Sequence, residues 1–252
     1  MALRLGAILL WTLFAMLVQA VLLALPGRGK ERFAMTYWRG MARILGLRLT
    51  VIGTPERRRP VLFVANHCSW LDIIALGSVL PGCFVAKADI ANWPLVSWVA
   101  RLGRTIFVTR SRSSLPQEQN TLSARLEAGD NIILFPEGTT SDGTRVLPFA
   151  SAFFMLANTP AKPWVQPVTL VYDRLDGLPV RKCDRPDISW YGDMDMATHF
   201  NGIGRRQRLH ATIVLEDAIA PGTFTHRKAL SASVEARLAH TAAALRQGRF
   251  TA

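Results

Sequence analysis

Two short stretches hold the residues best suited to chemistry. Asn66-His67-Cys68-Ser69-Trp70-Leu71-Asp72 sets a histidine ahead of an aspartate, directly after an apolar run. Phe135-Pro136-Glu137-Gly138-Thr139-Thr140 sets a carboxylate and a glycine in a turn after a second apolar run. Neutral imidazole is well matched to drawing a proton from a hydroxyl, which is a weak nucleophile at neutral pH. A carboxylate on the other ring nitrogen fixes the tautomer and stabilises the imidazolium as it forms. On one continuous helix the step from His67 to Asp72 turns through about 140°. The pair therefore meets only if His67 precedes the helix and Asp72 lies on its first turn. The competing reading is structural. Ser69 and Asp72 have near capping-box spacing, Asp in a first turn suits the helix dipole, and His67 is then a surface histidine. The second motif favours chemistry, because Glu137 follows a strand and α/β sheets commonly hold ligands at strand ends. Gly138 allows close approach of the backbone to a ligand.

The surrounding pattern alternates strand-like and helix-like segments. Val61–Ala65, Thr105–Val108, Ile132–Phe135, Val165–Tyr172 and Ala211–Leu215 have strand length and apolar character. Ser69 to Leu80 is helix-like and stops before Pro81-Gly82. Ser114 to Ala128 is predicted helical, with Ser114 and Gln117 at capping-box spacing and Gly129 at its end. Arg227 to Arg246 closes the chain as a helix with Leu230, Val234, Leu238 and Leu245 along one side. The expected fold is α/β, a central sheet flanked by helices. Arg181 to Arg206 has weak periodicity and reads as a long irregular excursion, a kind of segment that often carries function.

The N-terminus is a second signal. Ala7 to Leu25 carries no charge and spans roughly 28 Å as a helix, close to the hydrocarbon thickness of a bilayer. A signal peptide is disfavoured by the length of the run and the basic segment after it. A buried soluble helix is disfavoured by an apolar surface all round. Only Arg4 precedes the run, whereas Arg28, Lys30, Arg32, Arg39 and Arg43 follow it. The positive-inside rule then puts the rest of the chain in the cytoplasm, at the inner membrane. Gln19 inside the run leaves open a helix that dips into one leaflet without crossing. Phe33 to Leu49 reads as amphipathic, either interfacial or an ordinary packed helix. The expected organisation is an anchoring segment, residues 1–49, and a catalytic domain, residues 50–252.

Half of the 252 residues are hydrophobic, and the formal net charge is +12. That charge suits an anionic partner, and a lipid face fits better than nucleic acid because no nucleic-acid motif is present. Cys68, Cys83 and Cys183 are odd in number, show no ligand-like spacing and are expected as reduced thiols.

Four ordered blocks resemble the lysophospholipid acyltransferase family, which includes the 1-acyl-glycerol-3-phosphate acyltransferases. Asn66 to Asp72 resembles its HxxxxD block. Gly103-Arg104-Thr105-Ile106-Phe107-Val108-Thr109-Arg110 is similar to its second block, Phe135 to Thr140 to its FPEG block, and Val165-Gln166-Pro167-Val168 to its fourth. The resemblance implies His67 as the base that activates an acceptor hydroxyl, with Asp72 as its partner. It implies direct attack on a thioester without an acyl-enzyme, and no G-x-S-x-G elbow is present. It places Asn66, Arg104, Arg110, Glu137, Gly138 and Thr139 at the substrate and gives Pro167 a part in shaping the pocket. The donor is acyl carrier protein or a coenzyme A thioester, with no metal and no other cofactor. Many members acting on lysophosphatidic acid carry arginine after Glu-Gly-Thr, where this chain has Thr140; Arg145 lies nearby. Glu137 to Gly143, with Trp190-Tyr191-Gly192-Asp193-Met194-Asp195 downstream, resembles a bacterial branch that includes lyso-ornithine lipid O-acyltransferases. Asp193 and Asp195 are candidate partners for an ornithine amine, or ordinary loop carboxylates. With His199 they match no standard metal set. A membrane lipid-binding protein and a thioesterase are the rival readings.

Overall fold

The computed structural model describes residues 2–92, 96–109 and 115–250. The chain opens with α1 (Ala2–Ala24) and α2 (Gly29–Leu45), which run antiparallel. Gln19 Nε2 donates to the Lys30 carbonyl at 3.1 Å, and Trp11 Nε1 donates to the Tyr37 carbonyl at 3.0 Å. α1 is long and apolar enough to cross a membrane. One of its faces, with Ala15 and Gln19, is buried against α2. The opposite face leaves Leu3, Leu10, Leu13, Phe14 and Leu17 exposed. Arg4 Nη1 donates to the carbonyls of Gly204 and Arg206, so the start of α1 also touches the domain.

The predicted amphipathic helix over Phe33 to Leu49 is two elements. α2 ends at Leu45, and β1 spans Leu47–Ile52. Gly46 makes the break. It caps α2 at φ 75°, and a Cβ there would lie 2.4 Å from the Gln207 carbonyl oxygen. A boundary at residue 49 falls inside β1, and α2 shares a core cluster with the sheet through Tyr37, Met41, Ala42 and Leu45. α2 is thus packed against the sheet, while most of α1 stays exposed.

The remaining elements follow in order: β2 (Val61–Ala65), α3 (Leu71–Gly77), β3 (Cys83–Lys87), α4 (Val96–Leu102), β4 (Ile106–Val108), α5 (Leu115–Glu127), β5 (Ile132–Leu134), β6 (Trp164–Leu175), β7 (Leu178–Pro179), α6 (Arg185–Ile188), α7 (Met196–Arg205), β8 (Leu209–Leu215) and α8 (Arg227–Arg246). The sheet order is β1-β8-β6-β2-β5-β3-β4, with β7 hairpinned onto β6. β2, β5, β3 and β4 are mutually parallel, and β6 runs parallel to β2 but antiparallel to β8. β2 is fully buried on both faces, as parallel central strands are. Val61, Phe63 and Ala65 join the cluster under α1, α2 and α3. Leu62 and Val64 join the opposite cluster under α5 and α8. The sheet is the expected α/β core, covered on both faces. Its C-terminal edge, where β2 and β5 end, carries both motifs.

Candidate active site

β2 ends at Ala65, and His67 sits in the turn before α3. Asp72 lies on the first turn of α3, which meets the geometric condition for a pair. His67 Nδ1 is 2.8 Å from Asp72 Oδ2. Asp72 is wholly buried, and every hydrogen bond of its carboxylate is with a donor. Oδ2 also accepts the amide N–H groups of Cys68 at 2.7 Å and Ser69 at 3.0 Å. Oδ1 accepts the Tyr172 hydroxyl at 2.8 Å. The capping and pairing readings of Asp72 are therefore both true. Burial and the neighbouring Asp72 charge push the Tyr172 phenol well above its ordinary range, which keeps it a neutral donor. Because a carboxylate can only accept, the His67 proton belongs on Nδ1, leaving the Nε2 lone pair available.

The imidazole plane is set by stacking. The Phe135 ring lies 4.0 Å from His67 at 13°, and Phe84 continues the stack behind it. Glu137 fixes the backbone of the same turn: Oε1 accepts His67 N–H at 2.8 Å, and Oε2 accepts Leu147 N–H at 3.0 Å. Burial raises its pKa to about 7 against these two stabilising donors. Ser141 closes the turn from the other side, donating both N–H and Oγ to the His67 carbonyl. The Gly138 N–H turns back to the Phe135 carbonyl, Thr139 is exposed beside it, and Thr140 is half-buried. Cys68 is buried, and burial plus the Asp72 charge push its thiol well up, so it holds no ready thiolate.

The excursion after β7 folds over this turn. Trp190 N–H donates to the Cys68 carbonyl at 2.8 Å, and Ser189 Oγ donates to the Asp142 carbonyl at 3.1 Å. Trp70 Nε1 donates to His199 Nδ1 at 3.0 Å. A half-buried imidazole on a buried carboxylate, braced at a sheet edge with one ring nitrogen open, can serve as a general base for a hydroxyl.

A sequence model of the acyltransferase family matches residues 48–171. The lyso-ornithine lipid O-acyltransferase of Brucella abortus is 37% identical over 227 residues, covering 87% of this chain and 85% of that protein. The lyso-ornithine lipid O-acyltransferase of Rhizobium meliloti is 36% identical, covering 82% of this chain and 74% of that protein. This chain belongs to the lysophospholipid acyltransferase family. The fold agrees. The crystal structure of the 1-acyl-sn-glycerophosphate acyltransferase PlsC from Thermotoga maritima matches with a TM-score of 0.68 at 21% identity, covering 99% of this chain and all of that one.

Several residues expected at the substrate of this acyltransferase lie elsewhere or have other duties. Asn66 spends both amide ends on Leu170, donating to its carbonyl and accepting its N–H, and so straps β2 to β6. Arg104 precedes β4, at the opposite end of the parallel strands from His67. It pairs with Asp130 at 2.5 Å and lies 3.8 Å from Glu31. It is a structural ion pair, remote from the dyad. Pro167 is buried within β6 opposite Val64, so it shapes the sheet. It falls between the Val165–Ile219 bridge and the start of the β8 ladder at Val168, where a missing N–H costs no ladder bond. Glu137 spends one oxygen on the His67 N–H and the other on the Leu147 N–H. Arg110 lies outside the described residues. Asp195 caps α7 by accepting Thr198 N–H at 2.7 Å, and Asp193 is exposed. Among the described residues no cluster of three His, Cys, Asp or Glu could hold a metal. The sequence reading missed Tyr172, Phe84 and Ser141, none of which stands beside His67 in the chain.

Proposed function

We propose that this acyltransferase moves a fatty acyl group from an acyl carrier protein or coenzyme A thioester to the hydroxyl of lyso-ornithine lipid. The 2.8 Å contact between His67 and Asp72 carries the chemistry. The acceptor hydroxyl gives its proton to His67 Nε2 as its oxygen attacks the thioester carbonyl. The new C–O bond forms, the C–S bond breaks, and Nε2 returns the proton to the departing thiolate. Asp72 stabilises the transient imidazolium. The protonated, buried Cys68 supports a route without an acyl-enzyme. The named relatives that span most of the chain support the acceptor, as does Thr140 where a phosphate monoester would call for arginine.

The exposed face of α1 and the net charge of +12 support work at an anionic lipid surface. Contacts at both ends of α1, from Arg4 and Gln19, favour the arrangement in which α1 dips into the leaflet that the domain faces. The basic residues that follow α1 support a cytoplasmic leaflet, by the positive-inside rule.

Mass-spectrometric product analysis tests the acceptor. Purified enzyme is offered lyso-ornithine lipid and lysophosphatidic acid together, with acyl carrier protein and coenzyme A thioesters in turn. Acylated ornithine lipid is the expected dominant product. Dominant phosphatidic acid, or free fatty acid alone, would overturn the assignment.

A further inference from the structure

Arg185 and Arg246 converge on one carbonyl from distant parts of the chain. Arg185 opens α6, and its Nη1 donates to the Gly143 carbonyl at 2.5 Å. Arg246 closes α8, and its Nη1 donates to the same oxygen at 3.3 Å. Both side chains are half-buried. Among the described residues neither has a carboxylate within ion-pair distance. Asp142 acts on them only from farther away, and its Oδ1 is taken by the Thr144 N–H and hydroxyl. Two guanidinium groups at one neutral oxygen repel each other, and a single carbonyl does not offset that. Burial lowers the Arg246 pKa, and the Arg185 charge lowers it further.

The arrangement is built into the backbone. Gly143 has φ 73°, and a Cβ there would stand 3.2 Å from Arg185 Nη1 and 3.0 Å from Ser189 Oγ. The same point is 3.7 Å from Cys68 Cβ, and Cys68 follows His67. Ser141, two residues before Gly143, holds the His67 carbonyl. The arginine pair thus borders the catalytic turn.

We propose that Arg185 and Arg246 form an oxyanion subsite for the substrate, occupied by the carboxylate of the acceptor head group. An ornithine joined to its acyl chain through an amide keeps a free carboxylate, which a pair of guanidinium forks binds well. The assignment rests on the acceptor reading above. The phosphates of lysophosphatidic acid or coenzyme A share the same chemistry, so the test separates the sources.

Arg185→Gln, Arg246→Gln and the double variant are assayed as full-length protein. The acceptors are lyso-ornithine lipid, its carboxamide analogue and lysophosphatidic acid, with the donor varied independently. The KM for lyso-ornithine lipid is expected to rise about tenfold to a hundredfold, with kcat held within about threefold. Wild-type enzyme should use the carboxamide poorly, and the double variant should no longer distinguish it from the acid. Unchanged acceptor KM, or a wild type indifferent to the carboxamide, overturns the subsite. A rise confined to the donor KM overturns the head-group assignment and gives the pair to donor phosphates. A wild type that acylates only lysophosphatidic acid defeats the acceptor reading alone, and the variants' KM for lysophosphatidic acid then decides the subsite separately. Arg185→Lys and Arg246→Lys keep a cationic donor to Gly143. Near wild-type melting with an intermediate KM supports binding, whereas KM losses that merely follow melting temperature overturn it.

Discussion

Tyr172 donates its hydroxyl to Asp72 Oδ1 at 2.8 Å, across a hundred residues of chain. Oδ2 of the same carboxylate serves His67 and two backbone amides at the head of α3. Every lone pair that a buried carboxylate must place is thereby turned toward a donor, which is what allows Asp72 to sit at zero exposure. The parallel pairing of β6 with β2 brings Tyr172 to this point.

Asp72→Asn is expected to keep the fold and lose the chemistry. The amide oxygen can face the Cys68 and Ser69 N–H groups, while its NH2 donates to the Tyr172 oxygen after that hydroxyl rotates. Imidazolium loses its counter-charge, so turnover should fall about 10²–10⁴-fold, as it should in His67→Ala. Thermal melts beside turnover numbers check this. A destabilised Asp72→Asn protein with normal turnover would reduce Asp72 to a helix cap.

Glu137 makes stability depend on pH. Its carboxyl is raised from an ordinary 4.5 to about 7, chiefly by burial. The folded state therefore binds this proton more tightly than the unfolded chain. The contribution is full below pH 4.5 and is lost as pH rises through 7, amounting to at most about 3 kcal/mol. Melting temperature should fall between pH 5 and 8, and Glu137→Gln should flatten that slope. The same variant loses one acceptor for the His67 or Leu147 N–H, so turnover should drop as well. An unchanged slope in Glu137→Gln would assign the pH dependence to other groups.

Arg104 separates what the sequence could say from what it could not. The block Gly103 to Arg110 marks a strand correctly, and β4 is there. Which end of a parallel strand carries the site depends on the direction of its neighbours, and that is a property of the assembled sheet. β2, β5, α5 and α8 were legible because their apolar periodicity is local. Gly46 is a helix-ending signal that the broad apolar pattern of Phe33 to Leu49 obscured. The Tyr172–Asp72 and Phe84–Phe135–His67 contacts join elements far apart in the chain, and no spacing rule reports them.

Arg104→Ala should accordingly cost stability and leave catalysis intact. The guanidinium sits with Asp130, which Arg125 also binds at 2.6 Å. Losing one of two cations from a largely buried carboxylate should cost about 1–3 kcal/mol. Chemical denaturation and kcat/KM on the folded protein check this. A specific loss of kcat/KM in a stable protein would return Arg104 to the substrate.

Leu10 and Leu17 are 71% and 72% exposed on the outer face of α1. Returning one leucine from lipid to water costs about 1.5–3 kcal/mol, so each Lys substitution should weaken vesicle partitioning at least about tenfold. Neither residue packs in the core, so melting in detergent should not move. Vesicle sedimentation measures the partitioning. Deleting residues 1–27 is a harsher test, because it also strips Trp11 and Thr12 from Tyr37. Unchanged partitioning of the Leu10→Lys, Leu17→Lys protein would place the lipid-binding surface elsewhere.

Thr140→Arg should shift acceptor preference toward lysophosphatidic acid. Thr140 directly precedes Ser141, whose N–H is held 3.0 Å from the His67 carbonyl, so a side chain at 140 leaves the backbone beside the catalytic turn. A threonine there offers one hydroxyl, whereas an arginine offers a planar fork suited to a dianionic phosphate. One charge-assisted hydrogen bond contributes roughly 1.5–3 kcal/mol. Expressed in the transition state, that is about tenfold to a hundredfold in relative kcat/KM. Competition kinetics with both acceptors in one vessel read the ratio directly. A Thr140→Arg ratio equal to wild type would remove residue 140 from acceptor discrimination. A wild type that already prefers lysophosphatidic acid would mean that phosphate is bound without an arginine at this position.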